Sequence, residues 1–163
     1  MIATGTALQG KHTVEARELY MAFELGERNW KLSLGDGARS PSRYTVTAGD
    51  TAALLECIAK AKARCGLAPE ASVGSCYEAG RDGFWLHRWL IAHGIDNIVV
   101  DSASIEVNRR ARRVKTDRLD GDKLLAMLIR YGAGERRVWS VVRVPTLEQE
   151  DQRRTHRELG RLG

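Results

Sequence analysis

The chain has 163 residues, the length of one ordinary domain, and its 43% hydrophobic and 29% charged residues exclude a disordered or fibrous protein. No apolar run approaches the roughly 20 residues that cross a membrane, and no signal peptide is recognisable, so we expect a cytoplasmic protein without a membrane partner. The three cysteines, Cys57, Cys65 and Cys76, lack C-x-x-C spacing. This argues against a zinc site or a disulfide scaffold and favours core positions.

The first third of the chain predicts a flexible leader and a three-stranded meander. Residues 1–17 are polar and show no periodicity. Three β-like runs follow, and turn residues separate them: Glu18 to Leu25, Asn29 to Leu34, and Ser42 to Thr47. Because the connections are short, we expect neighbouring strands of the meander to be antiparallel.

Helices and single strands alternate in the rest of the chain. Asp50 is a suitable N-cap for a helix that runs to Cys65. The later predicted elements are a strand from Ser72 to Glu78, a helix from about Gly83 to His93, a strand at Ile98-Val99-Val100 and a helix from about Asp117 to Tyr131. The order β-β-β-α-β-α-β-α in an α/β mixed sheet is that of the ribonuclease-H-like fold, here with a helical extension after Pro145.

Basic charge is concentrated towards the C-terminus. Residues 1–108 carry a net charge of −2, whereas residues 109–163 carry +7. Six basic side chains lie within ten residues: Arg109, Arg110, Arg112, Arg113, Lys115 and Arg118. Such a run can be a merely solvated surface, but the planar guanidinium suits phosphate recognition, so the pattern favours a nucleic acid partner.

Four carboxylates are candidate ligands of a divalent cation. Glu24 lies near the end of the first strand and Glu78 ends the fourth, while Asp117 and Asp120 share one face of the first turn of the last predicted helix. Converging carboxylates would hold Mg²⁺ or Mn²⁺, and a pair of such ions supports phosphodiester cleavage. Alternatively, the two aspartates only complement the helix dipole.

Two motifs resemble those of a known family. The segment Tyr77-Glu78-Ala79-Gly80 is followed about forty residues later by Lys115-Thr116-Asp117-Arg118-Leu119-Asp120. This pair resembles the RuvC-like N-terminal domain of the insertion-sequence one-ten transposases, which are DEDD recombinases, and of related site-specific DNA invertases. The segment from Ala22 to Trp30 is similar to the first motif of that family, but Glu24 stands where the family has Asp.

The resemblance implies a RuvC-like domain over residues 18–144, with Glu24, Glu78, Asp117 and Asp120 as the catalytic, metal-binding tetrad. It also implies that Lys115 and the preceding arginines face nucleic acid beside this site. The partners of the family are DNA and a structured guide RNA. Residues 145–163 would begin a helical spacer, and the serine-bearing second domain of the family would be absent. Apolar surface near Trp139 and in the trailing helix further predicts a homo-oligomer.

Three functions remain open from the sequence. The first is the acidic domain of a DNA transposase or site-specific recombinase, incomplete without its second domain. The second is a stand-alone RuvC-like nuclease such as a junction resolvase, because a carboxylate tetrad can cut DNA without a serine. The third is an inactive module that binds nucleic acid through its basic run.

Overall fold

A computed structural model describes residues 16–80, 83–105 and 120–150 of the chain. Within these ranges the elements follow the predicted order of three strands and then alternating helices and strands. They are β1 (Leu19–Leu25), β2 (Asn29–Gly35), β3 (Ser42–Thr47), α1 (Thr51–Arg64), β4 (Val73–Glu78), α2 (Trp85–Ala92), β5 (Asp96–Val100) and α3 (Gly121–Gly132). No helix of the described ranges has the length and hydropathy needed to cross a bilayer.

The five strands form an open mixed sheet in the order β3-β2-β1-β4-β5. Strand β2 is antiparallel to both β1 and β3, as the short connections predict, whereas β4 is parallel to β1 and β5 is parallel to β4. The β1–β2 turn requires glycine at Gly26, because a Cβ there would lie 2.7 Å from the carbonyl oxygen of Asn29. This tight turn places the end of β1 beside the start of β2.

One face of the sheet is covered by α1 and α2. Leu54 and Ile58 of α1 and Leu86 and Leu90 of α2 are buried in one cluster with large side chains of the sheet. The ring of Phe23 makes edge-on contacts there with Trp30 and Tyr77, with centroids 6.1 and 6.3 Å apart. Helix α1 begins as predicted, since the Asp50 side chain accepts a hydrogen bond from the Ala53 amide at 3.0 Å.

The other face is covered by α3. Leu124, Leu125, Leu128 and Tyr131 pack in a second cluster against β1, β4 and β5. The C-terminal end of α3 approaches β1 closely, because a Cβ on Gly132 would lie 2.9 Å from the Tyr20 hydroxyl. Helix α3 therefore lies across the middle of the sheet.

The start of α3 differs from the prediction. The helix begins at Gly121, and Asp120 is its N-cap, with an extended backbone and a side chain that accepts from the Lys123 amide at 2.9 Å. The expectation that Asp120 lies inside the first turn is therefore wrong, because its carboxylate caps that turn from outside.

After α3 the chain returns to the β5 edge of the sheet. Val141 forms an antiparallel bridge with Val100, and the Val142 amide donates to the Val99 carbonyl at 2.7 Å. Thr146 and Gln149 then exchange side-chain to backbone hydrogen bonds of 3.0 and 3.1 Å, the reciprocal capping of a helix start. The predicted helix after Pro145 thus begins within the described residues.

Candidate functional site

Two of the predicted carboxylates end neighbouring parallel strands. The last paired residues of β1 and β4 are Phe23 and Tyr77, and Glu24 and Glu78 follow them directly. Since side chains alternate along a strand, both carboxylates project to the same face as the buried Ala22 and Cys76, which is the α3 face. Glu24 and Glu78 are both half-buried. They lie side by side at one edge of the sheet, which we call the carboxylate edge.

The start of α3 meets this edge. Glu24 Oε1 accepts a hydrogen bond of 3.1 Å from the Gly121 amide, which belongs to the peptide bond that follows Asp120. A carboxylate at a helix N-terminus is stabilised by the partial positive charge of the unsatisfied amides. Glu24 thus joins the end of β1 to the start of α3. The bond brings Glu24 and Asp120 together from positions about a hundred residues apart.

Three further residues hold the start of α3 against the sheet. Gly121 lies so close to β2 that a Cβ there would be 2.5 Å from Ser33 Oγ. The Ser33 hydroxyl donates to Asp122 Oδ1 at 3.0 Å, and Arg43 forms an ion pair with the same carboxylate. The hydrogen bond from Arg43, aided by that from Ser33, lowers the pKa of Asp122. The sequence analysis missed Ser33, Arg43 and Asp122, although the acidic pair around Gly121 is a helix-start signal.

The described carboxylates do not by themselves form a metal centre. Within residues 16–80, 83–105 and 120–150, no three His, Cys, Asp or Glu side chains are grouped so that they could hold a metal ion. Asp117, the fourth predicted ligand, lies outside the described residues. Glu24 and Asp120 each accept a backbone N–H bond instead.

The predicted basic run also lies outside the described residues. This applies to all six side chains assigned to nucleic acid binding: Arg109, Arg110, Arg112, Arg113, Lys115 and Arg118. Their role stays a prediction.

The cysteines carry no chemistry at this edge. Cys57 and Cys76 are buried, Cys65 is half-buried, and all three are free thiols. Burial raises the pKa of the Cys76 thiol strongly and that of Cys57 to a smaller extent, which keeps both protonated and unreactive. Their prediction as core residues is confirmed for Cys57 and Cys76.

The sequence is similar to that of a curated protein named "Putative transposase y4rJ", from Sinorhizobium fredii (strain NBRC 101917 / NGR234). The two are 43% identical over 152 residues, which is 89% of this chain but 38% of the relative. The chain thus spans less than half of the length of that protein. No family model and no solved structure matches the sequence significantly. The similarity supports a transposase family.

Proposed function

We propose that the chain is the acidic domain of a DNA transposase or site-specific recombinase, and that its carboxylate edge binds a divalent cation and acts on DNA. Two observations carry this proposal: Glu24 and Glu78 lie at the ends of neighbouring parallel strands on the α3 face, and Glu24 accepts a hydrogen bond from the amide that follows the Asp120 cap. The relative named "Putative transposase y4rJ" supports the same class of reaction.

The topology supports a ribonuclease-H-like, RuvC-like type of fold. An antiparallel meander of three strands is followed by two parallel strands, which join its first strand on the other side. In open sheets of this kind, ligands bind beyond the carboxyl ends of the parallel strands. Glu24 and Glu78 occupy those ends in β1 and β4.

The metal would be held by Glu24, Glu78 and Asp120 together with Asp117. Carboxylate oxygens are the ligands that Mg²⁺ and Mn²⁺ prefer, so the donor chemistry of these residues fits. When bound, such ions activate water and stabilise the leaving oxygen of a phosphodiester. The residues of the chain contribute by orientation: the Gly121 amide fixes Glu24, and Ser33 and Arg43 fix the helix start that carries Asp120.

One observation favours a second candidate, an inactive domain that binds nucleic acid without metal. Both Glu24 and Asp120 already serve the start of α3 as hydrogen-bond acceptors, so a structural role accounts for them too. A stand-alone nuclease has no such observation in its favour. Binding of a guide RNA and self-association stay predictions. The apolar surface expected near Trp139 is absent at that residue, because the Trp139 side chain is buried against Tyr131 in the α3 cluster.

The test is thermal unfolding with and without Mn²⁺, because a ligand that binds only the folded state stabilises it, by about 2.7 kcal/mol at a hundredfold excess over Kd. Asp120→Asn is the informative variant, since Asn caps a helix as well as Asp but is a much weaker metal ligand. Glu78→Gln tests the β4 ligand. Glu56→Gln, an exposed change on α1, is the matched control.

We expect Mn²⁺ to raise the Tm of the wild type and of Glu56→Gln, and to have a much smaller effect on Asp120→Asn and Glu78→Gln. An equal rise in Tm in all four proteins would show that Asp120 and Glu78 are not ligands of the metal. If Mn²⁺ raises no Tm while the wild type binds duplex DNA, the inactive binding module is correct.

A further inference from the structure

Beside the carboxylate edge, six polar side chains form a regular array on β2 and β3. Strand register pairs Asn29 with Thr47, Lys31 with Thr45, and Ser33 with Arg43. Since alternate residues share a face, all six lie on the α3 side of the sheet, opposite the buried Trp30, Leu32 and Leu34. We call these three pairs the β2–β3 strip.

Most of the strip is uncovered. Helix α3 packs on β1, β2 and β4, and its contacts with the strip are at the Ser33–Arg43 end, through Gly121 and Asp122. Asn29, Lys31, Thr45 and Thr47 are exposed. Within the described part of the chain, the side chains of these four residues make no hydrogen bond or ion pair. The strip therefore presents unused hydrogen-bonding groups to solvent.

The chemistry of the strip is that of an anion-binding surface. Lysine, arginine, threonine and asparagine side chains are common donors to phosphate oxygens. The strip itself contains no carboxylate. Arg43 and the adjacent Asp122 neutralise each other in their ion pair, so Lys31 supplies the net positive charge of the strip. It also lacks an exposed aromatic or large aliphatic side chain, which a protein partner would need as an anchor.

The strip is continuous with the carboxylate edge. Lys31 lies directly opposite Glu24 in the antiparallel β1–β2 pair, and both side chains are on the α3 face. A nucleic acid strand that lies along the strip and contacts Lys31 would therefore be next to Glu24, its cross-strand neighbour. The positive charge of Lys31 would offset the repulsion between a phosphate and the neighbouring carboxylates.

We propose that the β2–β3 strip binds the sugar–phosphate backbone of the DNA that is acted on at the carboxylate edge, with Lys31 as the phosphate contact nearest to Glu24. This rests on the proposed function and assigns a surface to its substrate. Because the contacts are to phosphates, the strip does not read base sequence.

The experiment uses the full chain and a fluorescent DNA duplex, whose binding is followed by anisotropy over a range of salt concentrations. Lys31→Ala is compared with Lys60→Ala, an exposed lysine on α1 at the opposite face of the sheet. Two further variants each add a positive charge: Thr45→Lys adds it on the strip, and Ala92→Lys adds it at an exposed position on α2 as the control. They test whether added charge on the strip strengthens binding.

We expect Lys31→Ala to weaken binding several-fold on duplexes of different sequence and to reduce the slope of log K against log salt by about 0.9, the effect of one phosphate contact. Thr45→Lys should steepen the slope by a similar amount. Lys60→Ala and Ala92→Lys should leave it unchanged.

The proposal is overturned if Lys31→Ala matches Lys60→Ala and Thr45→Lys matches Ala92→Lys while the wild type still binds the duplex. In that case the proposed function survives, and the binding surface lies elsewhere. If the wild type binds no duplex at any salt concentration, the strip proposal falls together with the DNA-binding part of the proposed function. The Mn²⁺ test described under the proposed function then reports separately on the carboxylate edge.

Discussion

The two faces of the sheet differ in how many of their polar side chains are left exposed to solvent. Under α1 and α2, the buried Ser75, Asn97 and His87 are joined to one another: Ser75 Oγ donates to Asn97 Oδ1 at 2.8 Å, and Asn97 Nδ2 lies 2.9 Å from His87 Nδ1. On the α3 face, Lys31 and Thr45 are exposed without such partners. A buried polar group must be satisfied within the protein, whereas an exposed one can exchange water for a ligand. The partly covered face is thus the one equipped for binding.

The largest effect on stability should come from the face of the sheet that α1 and α2 cover. Leu54 of α1 is fully buried, whereas its neighbour Leu55 is 41% exposed. We expect Leu54→Ala to lower the free energy of unfolding by about 2–5 kcal/mol, because it leaves a cavity beneath α1. Leu55→Ala is the control and should cost well under half of that. Chemical denaturation measures the free energy of unfolding of both variants. Equal losses would contradict the burial of Leu54 in a packed core beneath α1.

The next largest effect on stability should come from the buried side chain of Asn97. Asn97→Ala removes one hydrogen-bond partner from Ser75 and one from His87, and we expect it to cost about 1–3 kcal/mol because two buried hydrogen bonds are lost. Asn29→Ala, which changes the same side chain on the exposed strip, should change stability by less than about 0.5 kcal/mol. Denaturant midpoints compare the two. A neutral Asn97→Ala would mean that this network contributes nothing to stability.

A smaller effect should come from the start of α3. Gly121→Ala brings a Cβ to 2.5 Å from Ser33 Oγ, so the helix must shift away from β2, at a cost of about 1–2 kcal/mol. Ser33→Ala removes that oxygen, and the double variant should therefore be less destabilised than the sum of the two single variants. Thermal unfolding of all four proteins completes the cycle. If the losses of stability are strictly additive, the contact between residue 121 and Ser33 Oγ is not the cause of the destabilisation in Gly121→Ala.

The smallest effect is electrostatic. The pKa of Asp122 is lowered by Arg43 and Ser33, so its ionised form stabilises the fold above the pKa of the unfolded chain, about 3.9, and this contribution is lost as pH falls through the folded pKa. At pH 7 we expect Asp122→Asn to be less stable by about 1 kcal/mol or less, since Arg43 is exposed. Unfolding measured at pH 7 and near pH 2 should show the difference vanish in acid. A constant difference would exclude this linkage.

The order of elements could be read from the sequence because each signal is local. β-like runs separated by turn residues predicted the three strands of the meander, Asp50 marked the start of α1, and a short apolar run marked β5. The placement of Glu24 and Glu78 at strand ends followed from the same patterns. The start of α3 was misplaced, because helix periodicity does not distinguish an N-cap from a first-turn residue and acidic side chains favour both.

Periodicity and turn residues were sufficient to predict the strands, the helices and the presence of carboxylates at the ends of β1 and β4. The tertiary structure decided which of these groups meet. The bond from Gly121 to Glu24, the approach of Gly121 to Ser33 and the ion pair of Arg43 with Asp122 join residues that lie 79 to 97 positions apart in the chain. Strand register and the packing of α3 create these contacts, and a one-residue slip of β2 would turn Lys31 to the opposite face, away from Glu24. Local patterns do not contain that information, because register depends on how the whole sheet buries its two faces.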